Sequence, residues 1–234
     1  MGDLVSYRLK DSVATIAMDD GKANAISIQM LTELGAALDR AVADSAVVLL
    51  EGREGRFSAG FDLTTLAAGG DGAKALVRGG WELAARLLSF PTPVVIACTG
   101  HAMAMGAFLL LSGDYRVGAA GPYRLATNEV AIGITMPYVG IEILRHRLTP
   151  ACFSRAVTLA ETFSPGDAVA AGFLDRVVEP ERVREVARET AGSLTALNMR
   201  AHAASKLRAR RRMLEAVRAG IDEEFGPEAP WPPA

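Results

Sequence analysis

Three short strand-like segments, the apolar runs at residues 47–50 and 93–98 and the segment 115–117, constrain the fold of this chain more than any other feature. Each is too short for an ordinary helix, and their β-branched valines suit a buried sheet position. Longer segments with helical spacing lie among them, so strand, turn and helix recur along the chain. The first helix begins at Ser27, a residue suited to capping, and carries Leu31, Leu34, Leu38 and Val42 as an apolar stripe. Residues 71–90 read as another helix, with Gly69-Gly70 as a joint before it and Gly79-Gly80 as a weak point inside it. Ahead of these, residues 5–9 and 13–18 alternate as two strands of a hairpin across Lys10-Asp11. The expected fold class is α/β.

After Pro150 the composition shifts to alanine- and charge-rich helices at residues 151–160, 165–171 and 180–197, with a strand at 174–178. A last helix spans 198–219, and its Arg208, Arg210, Arg211 and Arg212 read as a solvated face, or alternatively as contacts for phosphates. The proline-rich tail, residues 226–234, is expected to be extended or disordered. We therefore expect a core over residues 1–180 and a helical region with its tail over 181–234. A chain of 234 residues, half of them apolar, is long enough to bury one sizeable core. Its net charge of −2 gives no global attraction to nucleic acid. Nothing resembles a secretory leader, and no apolar run approaches the roughly twenty residues of a membrane span, so the cytoplasm is the expected location. Cys98 and Cys152 are expected to stay reduced, and His101, His146 and His202 show no metal-ligand spacing.

Three segments carry candidate chemistry. In Arg56-Phe-Ser-Ala-Gly-Phe-Asp-Leu63, a small Ala-Gly pair follows a strand, and Asp62 can cap the helix after it. Such a corner can hold a backbone N–H toward an oxygen on which negative charge develops. Thr99-Gly-His-Ala-Met-Ala-Met-Gly-Ala-Phe-Leu-Leu-Leu111 leads from strand into an apolar helix, whose first amides need an acceptor. Asn128-Glu-Val-Ala-Ile-Gly-Ile134 sets one carboxylate among apolar residues, where burial would raise its pKa toward a value useful for proton transfer. Glu129 has an alternative reading as a structural carboxylate paired with Arg124. Asp114, after Gly113, suits turn chemistry.

In their order and spacing these segments resemble the crotonase superfamily, the enoyl-CoA hydratase/isomerase family. The resemblance covers nearly the whole chain and implies a stacked ββα superhelix with a C-terminal helical oligomerisation region. It implies backbone donors at Ala59 and Met105 for a thioester oxyanion, and Glu129 as catalytic acid/base. Lys22, Ala23, Ala59, Gly60, Phe61, Asp62 and Met105 would line the CoA path. Coenzyme A would enter as part of an acyl-CoA substrate, with no further cofactor, and the assembly would be a homotrimer or a hexamer made of two trimers. The chain departs from the hydratase pattern at Phe108, where those enzymes carry the first of two catalytic glutamates. An aromatic wall there implies an isomerase that shifts a double bond with one carboxylate. A hydratase is the second reading, and a non-catalytic acyl-CoA-binding protein the third.

Overall fold

The computed structural model describes residues 2–231. It opens with the expected hairpin, β1 (Val5–Lys10) and β2 (Val13–Met18), but the turn residues are Asp11 and Ser12, both with positive φ. Next come β3 (Ala25–Ile26), α1 (Ile28–Ala43), β4 (Val47–Glu51), β5 (Gly55–Ser58), β6 (Gly60–Phe61), α2 (Leu63–Ala68) and α3 (Gly70–Leu88). The middle of the chain supplies β7 (Val94–Cys98), β8 (Gly100–Met103), α4 (Met105–Leu111), β9 (Tyr115–Ala119) and β10 (Leu125–Ala126). The remainder is α5 (Tyr138–Arg147), α6 (Pro150–Leu159), α7 (Pro165–Ala171), β11 (Arg176–Val178), α8 (Val183–Leu194) and α9 (Met199–Phe225).

These three segments lie in β4, β7 and β9 of a six-stranded sheet, ordered β1-β2-β4-β7-β9-β11, in which every pair except β1–β2 is parallel. Alternate side chains of a strand face opposite ways, so β4 and β7 each feed two cores. Val47, Leu49, Val95 and Ala97 meet α8 through Val183, Val186, Ala187 and Ala191. Val48, Leu50, Val94, Ile96 and Cys98 belong to the larger core on the other face, with α1, α3, α4 and α9. Thus α8, beyond the expected boundary at residue 180, closes one face of the main sheet. Burial pushes the Cys98 thiol up to about 12, which keeps it inert.

Several helices depart from the expected detail. The buried face of α1 is Met30, Leu34, Ala37, Leu38 and Ala41, while Val42 is 44% exposed, so the stripe is rotated toward small residues. Ser27 caps this helix as expected, accepting from the Met30 N–H at 3.1 Å. The helix expected over 180–197 is a 3-10 turn, Pro180–Arg182, followed by the shorter α8. Conversely, α9 runs to Phe225, and residues 227–229 lie against α3, where Lys74 Nζ donates to the carbonyls of Pro227 and Ala229. Residues 232–234 of the expected tail lie outside the described residues. Gly79 and Gly80 are close-packing positions: a Cβ on Gly80 would sit 2.4 Å from the Phe61 ring, and one on Gly79 2.9 Å from Leu31.

Asp114 does more than turn the chain. Its carboxylate accepts from Val94 N–H at 2.8 Å and pairs with Lys206 at 2.6 Å and Arg210 at 2.8 Å. Lys206 and Arg210 are both buried, so the reading of Arg210 as part of a solvated face is corrected. Arg210 also donates to Leu88 O at 2.8 Å, and Arg147 donates to Leu111 O and Gly113 O. These cations meet carbonyls at the C-terminal ends of α3 and α4, where the helix dipole favours positive charge. The contacts of Lys206 and Arg210 lock α9 onto the core.

Candidate active site

The site grows from a three-stranded parallel sheet, ordered β10-β8-β5, set apart from the main one. All three strands point their C-terminal ends at one place. From β5 the chain passes through Ala59 into β6, from β8 through Ala104 into α4, and from β10 through Thr127 to Glu129. The Ala104 N–H donates to Ala126 O at 2.9 Å, tying the start of α4 to the strand that delivers Glu129. A Cβ on Gly60 would lie 2.9 Å from Ala104 Cβ and 3.4 Å from Met105 N, so only glycine lets β6 approach α4 this closely. The first two sequence segments are thereby side by side.

The structure corrects which amide of the first segment is free. Ala59 N–H already donates to Ala23 O at 3.0 Å, so it has no remaining proton for a ligand. Asp62 N–H donates to Ile26 O on β3, also at 3.0 Å. Neighbouring amides of a strand point to opposite sides, so the Phe61 N–H, one residue before, turns away from β3. On the second segment, Ala104 offers no side-chain cap, which leaves the Met105 N–H at the open N-terminal end of a buried helix. Phe61 and Met105 are therefore the amide pair available to an oxyanion.

The loop ahead of β3 is held by two residues that the sequence reading passed over. Asp20 accepts from the N–H groups of Lys22, Asn24 and Ala25 at 2.7–2.9 Å. Asn24, fully buried with φ of 53°, donates to Met18 O and Phe57 O and bridges the loop to β5. Ser58 Oγ completes the brace by donating to Asn24 O at 2.7 Å. The Asp-Asp-Gly-Lys-Ala-Asn run is the signal available for this, because Asp and Asn side chains bond nearby backbone in tight turns. Lys22 and Ala23 are thereby fixed beside β6. Asp62 caps α2, accepting from Thr64 N–H and Thr65 N–H.

Glu129 is 8% exposed, and its Oε2 is buried with no hydrogen-bond partner. Desolvation by burial pushes its carboxyl up to about 7. No ion pair joins it to Arg124 among the described residues. Phe108 is fully buried on α4, whose seven residues carry no ionisable group. Its ring meets Trp81 of α3 edge-on at 4.8 Å and also packs beside Gly140 of α5. The chemistry on offer is one carboxyl poised near neutrality, two backbone donors and an apolar wall.

Known proteins resemble this chain in both sequence and fold. Residues 8–224 match the model of the enoyl-CoA hydratase/isomerase family. The chain is 32% identical over 183 residues to human mitochondrial enoyl-CoA delta isomerase 1, covering 75% of this chain and 60% of that protein. The chain thus spans less than two thirds of that relative's length. An enoyl-CoA hydratase/isomerase family protein from Pseudomonas syringae superposes with a TM-score of 0.93 at 47% identity, covering 95% of this chain and 97% of that one. A Mycobacterium tuberculosis protein, described as an enoyl-CoA isomerase with one structure and as a probable enoyl-CoA hydratase with another, gives 0.92 at 51% identity in the first, covering 97% of this chain and all of the other. With a matching family model over most of its length and crotonase-type neighbours across the whole fold, the chain belongs to the enoyl-CoA hydratase/isomerase family of the crotonase superfamily.

Proposed function

We propose that this protein is an enoyl-CoA isomerase that moves a double bond between the Δ3 and Δ2 positions of an acyl-CoA. The observation that carries the reading is the single buried carboxyl of Glu129, pushed up to about 7, in a site whose other helix supplies Phe108 instead of a second acid. The thioester oxygen lies between the N–H groups of Phe61 and Met105, which take up the charge of the dienolate. Glu129 removes a proton from C2 and returns it at C4. Phe108 keeps water from the intermediate, which favours reprotonation over addition. Lys22, Ala23 and residues 59–62 line the CoA path, and coenzyme A is the carrier part of the substrate, with no other cofactor in the cycle.

Hydration is the second reading, favoured by the 31% identity to a probable enoyl-CoA hydratase of Bacillus subtilis over 144 residues. The two are separated by incubating the protein with matched cis-3- and trans-2-enoyl-CoA and resolving products by chromatography and mass. Interconversion of the two isomers is the expected main outcome. Dominant 3-hydroxyacyl-CoA would overturn it, and tight acyl-CoA binding without turnover would assign a binding protein. Phe108→Glu, checked for folding by circular dichroism, should raise hydration relative to isomerisation by about a hundredfold, the low end of the effect of a general acid/base. An unchanged ratio would remove Phe108 as the selector.

We also propose a homotrimer, or a hexamer of two trimers. Val130, Ile132 and Ile134 are 42–59% exposed and Leu159 71%, and Val130–Ile132 packs beside α6, which ends in Leu159. Apolar side chains clustered in this way suit a subunit contact. Sedimentation equilibrium should return three or six chains, and a monomer at micromolar concentration would refute the assembly.

A further inference from the structure

The two residues whose amides are open to an oxyanion turn their side chains to one place on α3. A Cβ on Gly80 would lie 2.4 and 2.6 Å from Cε1 and Cζ of Phe61, and 3.4 Å from Sδ of Met105. Phe61 ends β6 and Met105 begins α4, so one buried glycine on a third element touches both. Glycine within a helix is less favourable than alanine, so its presence here points to a packing need. The glycine before it faces elsewhere. A Cβ on Gly79 would meet only Leu31 Cδ1 of α1, at 2.9 Å, the far end of a flexible side chain.

Which partner would yield to a methyl group at position 80 follows from what holds each. The helix α3 is tied along its length: Lys74 Nζ donates to the carbonyls of Pro227 and Ala229, Arg78 to Phe225 O at 3.1 Å, and Arg86 to Gly35 O at 3.1 Å. By contrast, β6 is two residues long and pairs only with β3. Opening the 2.4 Å approach to an ordinary contact of 3.4 Å therefore moves Phe61 by about 1 Å, a misplacement that can lower a rate about a hundredfold. We propose that Gly80 is a positioning residue for the oxyanion hole, its missing Cβ setting how closely Phe61 and Met105 pack and so the spacing of their N–H groups. The inference rests on the acyl-CoA reading and on that donor pair, but not on which reaction follows.

Gly80→Ala should lower kcat about a hundredfold, whichever product the wild type forms, and change KM far less, because donor spacing matters most when charge develops on the oxygen. Gly79→Ala, one residue along the same helix, should keep the wild-type rate. The hole itself is read by the infrared stretch of a ¹³C-labelled thioester carbonyl in bound octanoyl-CoA. The wild type should shift that stretch to lower frequency, and Gly80→Ala should shift it less. Phe61→Leu keeps the backbone donor and lacks both Cε1 and Cζ, so a methyl group at position 80 fits beside it. Adding Gly80→Ala to Phe61→Leu should give a kcat no lower than that of Phe61→Leu alone, and this comparison decides if Gly80→Ala by itself does not fold. An unchanged kcat and carbonyl frequency in Gly80→Ala, an equal loss in Gly79→Ala, or a further loss in the Phe61→Leu background overturns the proposal. A wild type with neither turnover nor a carbonyl shift overturns the donor pair and the proposal with it, which distinguishes failure of that reading from failure at Gly80 alone.

Discussion

Glu129→Gln should lose about 10²- to 10⁴-fold in isomerisation, the range contributed by a general acid/base, while making the folded protein more stable above neutral pH. The two effects share one cause. Glu129 Oε2 has no partner in its buried position, and desolvation pushes the carboxyl from an ordinary value of 4.5 to about 7. Between those values the folded protein holds a proton that the unfolded chain has released. The contribution to stability is fully present below pH 4.5 and is lost as pH rises through about 7. The interval corresponds to about 3 kcal/mol by pKa arithmetic, and a neutral glutamine does not incur that loss. Urea unfolding at pH 5 and pH 8.5 should therefore give a difference between the two pH values that is larger for the wild type than for Glu129→Gln. A base must be ionised to take the C2 proton, so wild-type kcat/KM should climb through about pH 7 and then level, and the variant's residual rate should not follow that curve. Full isomerase activity in Glu129→Gln would place the base elsewhere. An unchanged pH dependence of stability would mean that the carboxylate is solvated after all.

Much of this arrangement was legible in the sequence, for reasons that can be stated residue by residue. The apolar runs at 47–50 and 93–98 are strands because both of their faces are buried, and uninterrupted apolar sequence satisfies two cores at once, whereas 115–117 puts Val117 into one core and buries Arg116 against Asp175. Ser27 and Asp62 act as caps because the caps rest on local chemistry. The isolated carboxylate in an apolar segment announced a raised pKa at Glu129. Local reading failed wherever direction or a distant partner decides. Ala59 and Phe61 carry equivalent backbone N–H groups when read along the chain, and only the pairing of β6 with β3 shows that the first is consumed by Ala23 and the second turned outward. Gly80 reads as a helix weakness until Phe61 is found against it. Arg210 was taken for a surface charge because nothing within its helix reveals a carboxylate that lies 96 positions earlier, at Asp114. The contact between Trp81 and Phe225 likewise joins segments far apart in sequence.

Asp114→Ala should destabilise the protein by about 3–5 kcal/mol, the cost of removing one partner from a buried ion pair. Lys206 and Arg210 would remain buried with positive charge uncompensated, and the Val94 N–H at the start of a central strand would lose its acceptor. The burden would fall on α9, because both cations belong to it and their other bonds, to Thr92 O and Leu88 O, reach only carbonyls. Since α9 carries Phe225 against Trp81, and Trp81 meets Phe108, loosening it should reach the acyl wall before the main sheet unfolds. Hydrogen exchange should then show amides of α9 exposed at lower denaturant than those of β4 and β7. Removing all three charges together, as Asp114→Leu with Lys206→Met and Arg210→Met, should recover most of the lost midpoint, because desolvated charges and their partners disappear at once. If the triple variant is no better than Asp114→Ala, the cluster acts through the dipole of α3, whose terminal Leu88 carbonyl Arg210 meets, and not chiefly through the carboxylate.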